Sequence, residues 1–326
     1  MNKKAYLIGN NIYKSYSPEL YTSLMNIDYQ VKNIKTEKEL DDLFAKRDFL
    51  FVNVTSPYKE KVLDYLDYKS RIVDETHVCN LVVNRNGMLK GYNTDAYGFE
   101  SMLTCQNIEI SNKTVLILGN GATSKTVSYV LRKKGAKKVY VACRKKKNES
   151  EYLFKDAPRD DVELIVNTTP CGRYEKDAKL VHISNYPKLI AFIDLIYSVY
   201  KTATMVDAKE AGKGAVGGLD MLIFQAQQAL ALATHKLIPF LFWWRLKNEI
   251  LLKNTNIVLI GLPTSGKSKA CRTLKRKFNT KDIRGYFDTD ELIEKYTKHT
   301  IRQIFITKGE KEFRELERKA VNSLYK

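Results

Sequence analysis

Apolar runs of strand length alternate with stretches of helical period along most of the 326-residue chain. Residues 3–9 (KKAYLIG) form a first apolar run that stops at Gly9. Ser17 then offers an N-cap and Pro18 a first helical position, so the pattern predicts a helix from Pro18 to about Met25. A helix over 36–46, a strand over 50–54, a helix over 60–70 and a strand over 79–84 follow. The turn sequence NRNG at 84–87 makes a hairpin of 79–91. A second series opens at Thr114, where a strand meets Gly119 and Gly121 and an apolar-periodic helix ends at Gly135. Strands over 138–143, 162–172 and 190–197 and a helix over 217–230 complete it. After Lys253 a third strand-turn-helix begins. Strands alternating with helices predict an α/β protein with parallel sheets.

Length allows two or three domains with substantial cores. The hydrophobic fraction of 44% and charged fraction of 28% are those of a globular protein in water. Cys79, Cys105, Cys143, Cys171 and Cys271 are odd in number and never form a C-x-x-C pair, which argues for reduced thiols in a cytoplasm. The N-terminus has no long apolar stretch of signal-peptide type. The segment 237–252 is apolar, but Pro239, Arg245, Lys247 and Glu249 interrupt it and it is too short to span a bilayer; a helix packed on the core is expected. The net charge of +18 is spread along the chain, with its densest runs (144–147 and 272–277) beside candidate phosphate sites. It points to anionic small-molecule ligands and not to a nucleic-acid or membrane partner.

The chemistry concentrates at strand ends. In FVNVTSPYKEK (51–61), Pro57 disfavours helix at Ser56, so the strand stops and Lys59 lies at its carboxyl end, where open α/β sheets bind ligands. GYNTDAYGF (91–99) offers Asp95 in a similar strand-to-helix turn. A lysine and an aspartate beside a carbonyl can move a proton to or from its oxygen; spacing alone equally allows a surface lysine and an N-cap aspartate. Ser15 and Ser17 stand at a helix entrance suited to a carboxylate. Gly119 and Gly121 let the backbone approach a pyrophosphate at a helix N-terminus. After the next strand an acid would hold the ribose hydroxyls of NAD, but this chain has Arg144, Lys145, Lys146 and Lys147, which suit the 2′-phosphate of NADP.

The wording NVTSPYK, then NTD, with KSYSP before both, resembles shikimate dehydrogenase, which carries N-V-T-x-P-x-K, N-T-D-x-x-G and S-x-S-P. The resemblance runs from Gly9 to about Leu232. It implies an N-terminal α/β substrate domain (1–98 with 219–250) around an NADP-binding Rossmann domain (99–218). It implies NADPH-dependent interconversion of 3-dehydroshikimate and shikimate in chorismate and aromatic amino acid biosynthesis. It makes Lys59 and Asp95 the catalytic pair, and Ser15, Ser17, Thr55, Asn80, Tyr197 and Gln225 the contacts to the substrate. Gly119, Gly121, Ala122, Arg144, Lys145, Leu195 and Gly218 would contact the cofactor. Lys14, Tyr21 and Thr22 replace the family's histidine and His-Asn near the serines, and Ala122 replaces a glycine. Quinate dehydrogenase shares these motifs, and a nucleotide- or shikimate-binding protein without catalysis is the alternative from another class.

The third series, NIVLIGLPTSGKSKACRTL, holds G-x-x-x-x-G-K-S from Gly261 to Ser268. A strand, this loop and a helix make a P-loop. Backbone N–H groups around Gly261, Ser265 and Gly266 would cradle the phosphates of ATP, Lys267 would bind the terminal phosphates and Ser268 would hold Mg²⁺. The order of YFDTDELIEK and GEKEFRELE resembles shikimate kinase, which implies that Asp288 helps to order Mg²⁺, Asp290 takes the substrate hydroxyl and Arg314 binds the substrate carboxylate, with Glu317 in support. Residues 254–326 match only the front half of such a kinase, so a partial P-loop α/β domain with little or no kinase activity is expected.

Overall fold

The computed structural model describes residues 4–12, 15–22, 27–174, 176–237, 239–254, 257–261, 265–277 and 287–324. Two compact units result, Met1–Asn254 and Thr255–Lys326. The first unit holds two six-stranded sheets.

In the first sheet, β1 (Lys4–Gly9), β2 (Asp28–Asn33), β3 (Phe51–Val54), β4 (Tyr68–Lys69), β5 (Leu81–Arg85) and β6 (Met88–Tyr92) stand in the order β2-β1-β3-β5-β6-β4. β1, β2 and β3 are parallel, while β5 runs antiparallel to both β3 and β6. The β5–β6 hairpin turns through Asn86 (φ 53°) and Gly87 (φ 90°), the left-handed pair that a tight hairpin with native twist requires. Around this sheet lie α1 (Ser17–Thr22), α2 (Glu37–Lys46), α3 (Arg71–Thr76) and α4 (Thr94–Cys105). α2 starts where expected because Thr36 and Glu39 form a reciprocal capping box.

The second sheet is wholly parallel. β7 (Thr114–Leu118), β8 (Lys138–Cys143), β9 (Tyr152–Leu153), β10 (Leu164–Asn167), β11 (Ala191–Asp194) and β12 (Gly214–Gly217) are ordered β12-β11-β10-β7-β8-β9. This is the doubly wound 3-2-1-4-5-6 arrangement, whose strand order reverses between β7 and β10. α5 (Ala122–Lys133) and α6 (Ala203–Glu210) connect its strands.

α7 (Leu219–Thr234) leaves the second sheet and returns to the first. Its Leu222, Ile223, Ala226, Ala229 and Leu230 are buried with Tyr21, Phe51 and Leu81, while Met221 joins Ala96, Phe99 and Met102 of α4 in the neighbouring core. Each fully buried large apolar side chain contributes about 1.5–3 kcal/mol, so α7 fastens the two lobes. α8 (Phe240–Asn254) buries Trp243, Leu246 and Ile250 against the same core and exposes Leu241 and Trp244. It is the core-packed helix its charged interruptions predict. Among the described residues no helix is long and apolar enough to cross a membrane.

One expectation in this unit gives way. Residues 60–70 are not one helix: Lys61–Tyr65 is a short 3-10 turn, after which the chain extends. Asp67 donates its backbone N–H to Leu89, and Tyr68 and Lys69 pair with β6, so the open sheet edge captures this segment. The helix begun at Ser17 is described only to Thr22, and 23–26 lie outside the described residues.

In the second unit, α9 (Lys267–Lys277), α10 (Thr289–Thr297) and α11 (Ile301–Ser323) are helical. Residues 257–260, expected as a strand, are irregular, with Val258 and Ile260 75% and 88% exposed. An apolar run becomes a strand only by pairing, and no strand partner exists for it among the described residues. α10 and α11 pack through Ile293, Ile304, Phe313 and Leu316, and Gly309 (φ 78°) breaks α11.

Candidate active site

The directions of the strands gather the motifs. β1 and β3 are parallel, and β6 is antiparallel to β5, which is antiparallel to β3, so the carboxyl ends of β1, β3 and β6 share one sheet edge with the start of β5. Lys59 follows β3, Asn80 precedes β5 and Asp95 opens α4 directly after β6.

There Lys59 Nζ donates to Asp95 Oδ2 at 2.6 Å. Both residues are buried. Asn80 Nδ2 donates to the other carboxylate oxygen, Oδ1, at 3.0 Å and to Thr94 Oγ1 at 2.9 Å, while Asn80 Oδ1 accepts the Thr94 backbone N–H at 2.7 Å. Asn80 thus caps the first turn of α4 from across the sheet and fixes the Asp95 carboxylate toward Lys59. Thr94 Oγ1 also reaches Gln225 Oε1 of α7 at 3.4 Å, which brings Gln225 to the same edge.

Ser15 Oγ accepts the Ser17 backbone N–H at 3.1 Å, and Ser17 is buried at the start of α1. Thr55 is half-buried beside Gly9 and is anchored by its N–H to Ile8. Tyr197 is partly buried and its ring lies 6.0 Å from that of Tyr16. Burial pushes the Tyr197 phenol above its ordinary value; the charge of Arg173 opposes this and that of Asp95 adds to it. Lys14 lies outside the described residues. Tyr21, in place of the family histidine, is fully buried and stacks on Tyr29 at 4.6 Å, and the Tyr29 hydroxyl donates to Asn53 at 2.9 Å.

The carboxyl edge of the second sheet carries the other group of expected residues. Gly119 has φ 104°, and a Cβ there would meet Thr168 Oγ1 at 2.8 Å. Gly121 is the N-cap of α5 with no side-chain cap, and a Cβ on it would meet nothing within 4 Å. Ala122 is the first residue of the helix. An uncapped helix N-terminus facing open space fits a pyrophosphate. Arg144 and Lys145 follow β8 and are exposed. A Cβ on Gly218 would meet the Leu195 carbonyl oxygen, so glycine allows β11 and the start of α7 to touch. These residues fit an NADP molecule laid across the reversal of strand order.

In the second unit, Gly261, Ser265, Gly266, Lys267 and Ser268 frame the expected loop, while 262–264 lie outside the described residues. Lys267 Nζ donates to the Gly261 carbonyl at 2.7 Å. Asp288 caps α10 by accepting the Asp290 N–H at 3.0 Å. Burial, then the charges of Asp288, Glu317 and Glu294, push the Asp290 carboxyl up, and Lys267 opposes them. These groups therefore share one neighbourhood. Arg314 is ion-paired with Glu317 (2.8 Å) and Glu310 (3.2 Å). No group of three or more acidic, histidine or cysteine side chains among the described residues could hold a metal ion by itself.

Gly98, the glycine of the N-T-D-x-x-G motif, is a structural position whose role the order of motifs alone does not explain. A Cβ there would meet the Met221 carbonyl oxygen at 2.6 Å and Gln225 Cβ at 2.9 Å, so Gly98 sets the close crossing of α4 and α7. Asp194 is another. It is buried, and Asn167, Thr202 and the Ile196 N–H all donate to it.

A substrate lobe with a buried lysine–aspartate pair, joined to a dinucleotide-type parallel sheet, defines a two-lobed α/β dehydrogenase. A family model described as the shikimate dehydrogenase substrate binding domain matches residues 7–82, and one described as shikimate kinase matches 263–326. The shikimate dehydrogenase (NADP(+)) of Clostridium beijerinckii is 33% identical over 239 residues, 68% of this chain and 88% of that protein. A crystal structure of shikimate dehydrogenase 1 from Peptoclostridium difficile superposes with TM-score 0.69 at 30% identity, covering 78% of this chain and all of that one. Shikimate 5-dehydrogenase from Thermus thermophilus, solved with NADP(H) and shikimate, superposes with TM-score 0.67 at 26% identity over 76% and 99% of the two chains. The chain belongs to the shikimate dehydrogenase family, and its residues 263–326 match the shikimate kinase model.

Proposed function

We propose that the first unit interconverts shikimate and 3-dehydroshikimate with NADP(H). The observation that supports this most directly is the meeting of Lys59, Asp95 and Asn80 at one sheet edge, in a chain of this family. Ser15 and Ser17 bind the substrate carboxylate, and Thr55, Asn80, Tyr197 and Gln225 hold its hydroxyls. Gly119, Gly121 and Ala122 receive the pyrophosphate, Arg144 and Lys145 the 2′-phosphate, and Leu195 and Gly218 flank the nicotinamide. When bound, NADPH supplies the hydride. In ketone reduction the Lys59 ammonium donates to the substrate oxygen and gives it a proton as it becomes a hydroxyl. Asp95, fixed by Asn80, holds that ammonium in place. Removing water from the pair strengthens this electrostatic hold.

The deciding experiment is NADP⁺ reduction by the purified chain with shikimate, run beside NAD⁺ and beside quinate. NADP⁺-preferring turnover of shikimate is expected. Faster quinate turnover with NAD⁺, or none in a folded sample, would refute the assignment.

For the second unit we infer an ATP- and Mg²⁺-binding segment with little phosphoryl transfer of its own. Lys267 serves the terminal phosphates, Ser268 and Asp288 the metal, and Asp290 and Arg314 a shikimate-like substrate. Arg314 is positioned by its ion pairs to Glu317 and Glu310.

A further inference from the structure

Between β8 and β9, residues 144–150 are all exposed, yet Glu151 at the end of this turn is only 8% exposed. Its carboxylate points inward and is fully engaged. Oε2 accepts the Lys147 backbone N–H at 2.7 Å and Asn120 Nδ2 at 2.9 Å, with Cys143 Sγ at 3.5 Å, and Oε1 accepts Asn148 Nδ2 at 3.3 Å. Asn120 lies between Gly119 and Gly121. Its Nδ2 also donates to the Lys145 carbonyl at 3.0 Å, and its own carbonyl accepts Lys147 Nζ at 2.9 Å. Three bonds therefore stitch the glycine loop to the basic turn, all made by Asn120 and one of them to Glu151, which also holds the turn's own Lys147 N–H.

Burial raises the Glu151 carboxyl, but its donors, led by the Lys147 N–H and Asn120, outweigh burial and hold it below its ordinary value, so it is ionised at neutral pH. An acid near this turn would ordinarily favour NAD by binding ribose hydroxyls. Here both oxygens are committed to protein donors. Lys146 leans toward Glu149 (3.9 Å), whereas the side chains of Arg144 and Lys145 have no ion-pair partner among the described residues.

We propose that Glu151 is a positioning residue for cofactor choice: with Asn120 it clasps the 144–147 turn to the glycine loop, presenting Arg144 and Lys145 to a 2′-phosphate. This rests on the assignment of Arg144 and Lys145 to that phosphate. It predicts a defect specific to NADP⁺, because NAD⁺ has nothing to lose at this turn.

The test is calorimetric titration of the full chain with NADP⁺ and with NAD⁺, together with steady-state kinetics, for wild type, Glu151→Ala, Glu151→Gln, Asn120→Ala and Arg144→Ala. Glu151→Ala is expected to raise the Kd for NADP⁺ about tenfold, the scale of losing charge-assisted hydrogen bonds. The Kd for NAD⁺, the KM for shikimate and kcat at saturating NADP⁺ stay within about twofold of wild type on the same grounds. Glu151→Gln restores most of the affinity, since its amide oxygen still accepts from Lys147 N–H and Asn120. Asn120→Ala, which cuts the other end of the clasp, reproduces the loss if Glu151→Ala fails to fold. Equal weakening of both cofactors, or an unchanged or tighter NADP⁺ complex in Glu151→Ala while Arg144→Ala still weakens it, overturns the clasp alone. If Arg144→Ala leaves NADP⁺ binding unchanged, the assignment of the basic turn falls and the clasp with it.

Discussion

Lys59 and Asp95, 36 residues apart in sequence, form an ion pair of 2.6 Å with side-chain exposures of 11% and 10%. Asn80 holds the carboxylate from its other side. Substituting Lys59→Ala removes the proton donor while Asp95 keeps its Asn80 bond. Turnover of shikimate should fall by about 10²–10⁴-fold, the share of a positioned acid–base group. The KM should change much less. Near-normal kcat in a folded Lys59→Ala protein would sink the catalytic assignment.

Gly98 sits where α4 and α7 cross. An added methyl would lie 2.6 Å from the Met221 carbonyl and 3.0 Å from the Gln225 backbone nitrogen, neither of which is a flexible side-chain end. Overpacking of this kind costs about 1–3 kcal/mol, more than the helix-propensity gain of about 1 kcal/mol. Gly98→Ala should therefore lower the urea midpoint. It should also raise the KM for shikimate, because Gln225 moves with the helix. An unchanged or higher midpoint would show that the crossing relaxes without cost.

Much of this was legible in the chain because the motifs fall at strand ends, and strand ends are marked by local residues. Pro57 stops β3, Asn86 and Gly87 turn the hairpin, and Gly119 ends β7. What local pattern does not carry is pairing. β2 alternates apolar and polar residues from Ile27 to Lys32 but buries only Tyr29 of its six residues, so its partner β1, and not a buried face of its own, fixes it. The segment 66–69 continues a helical pattern but is drawn to a sheet edge. The run 257–260 has the apolar pattern of a strand without a partner among the described residues. Glu151 and Asn120 are 31 residues apart and meet only because β7 and β8 are adjacent, so their clasp is invisible in either motif.

Lys267 bonds its own loop carbonyl in the second unit, and a phosphate would draw it away. In the full chain, Mg²⁺–ATP should raise the unfolding temperature of wild type but not of Lys267→Ala. Shikimate oxidation should be equal in the two proteins, since none of the proposed dehydrogenase residues lies beyond Asn254. An ATP-induced rise that survives in Lys267→Ala would place nucleotide elsewhere.

Asp194 supplies the pH dependence. Burial raises its carboxyl to about 6 against the lowering effect of the Ile196 N–H, Thr202 and Asn167. In the unfolded chain the same carboxyl titrates at its ordinary value near 4. Between these two values the native state binds more protons than the unfolded one, so stability falls as pH rises through the window and levels off above about 6. A gap of about one pH unit between native and unfolded titration corresponds to about 1.4 kcal/mol, which makes the whole change on the order of 2–3 kcal/mol. Asp194→Asn removes this titration and keeps one acceptor for the three donors. The unfolding free energy of wild type minus that of Asp194→Asn, measured in urea at pH 4.5, 6 and 7.5 (chosen to span roughly this window), should therefore fall from the first pH to the second and change much less from the second to the third. A difference that is flat or grows with pH would mean that Asp194 is ionised throughout, its three donors outweighing its burial.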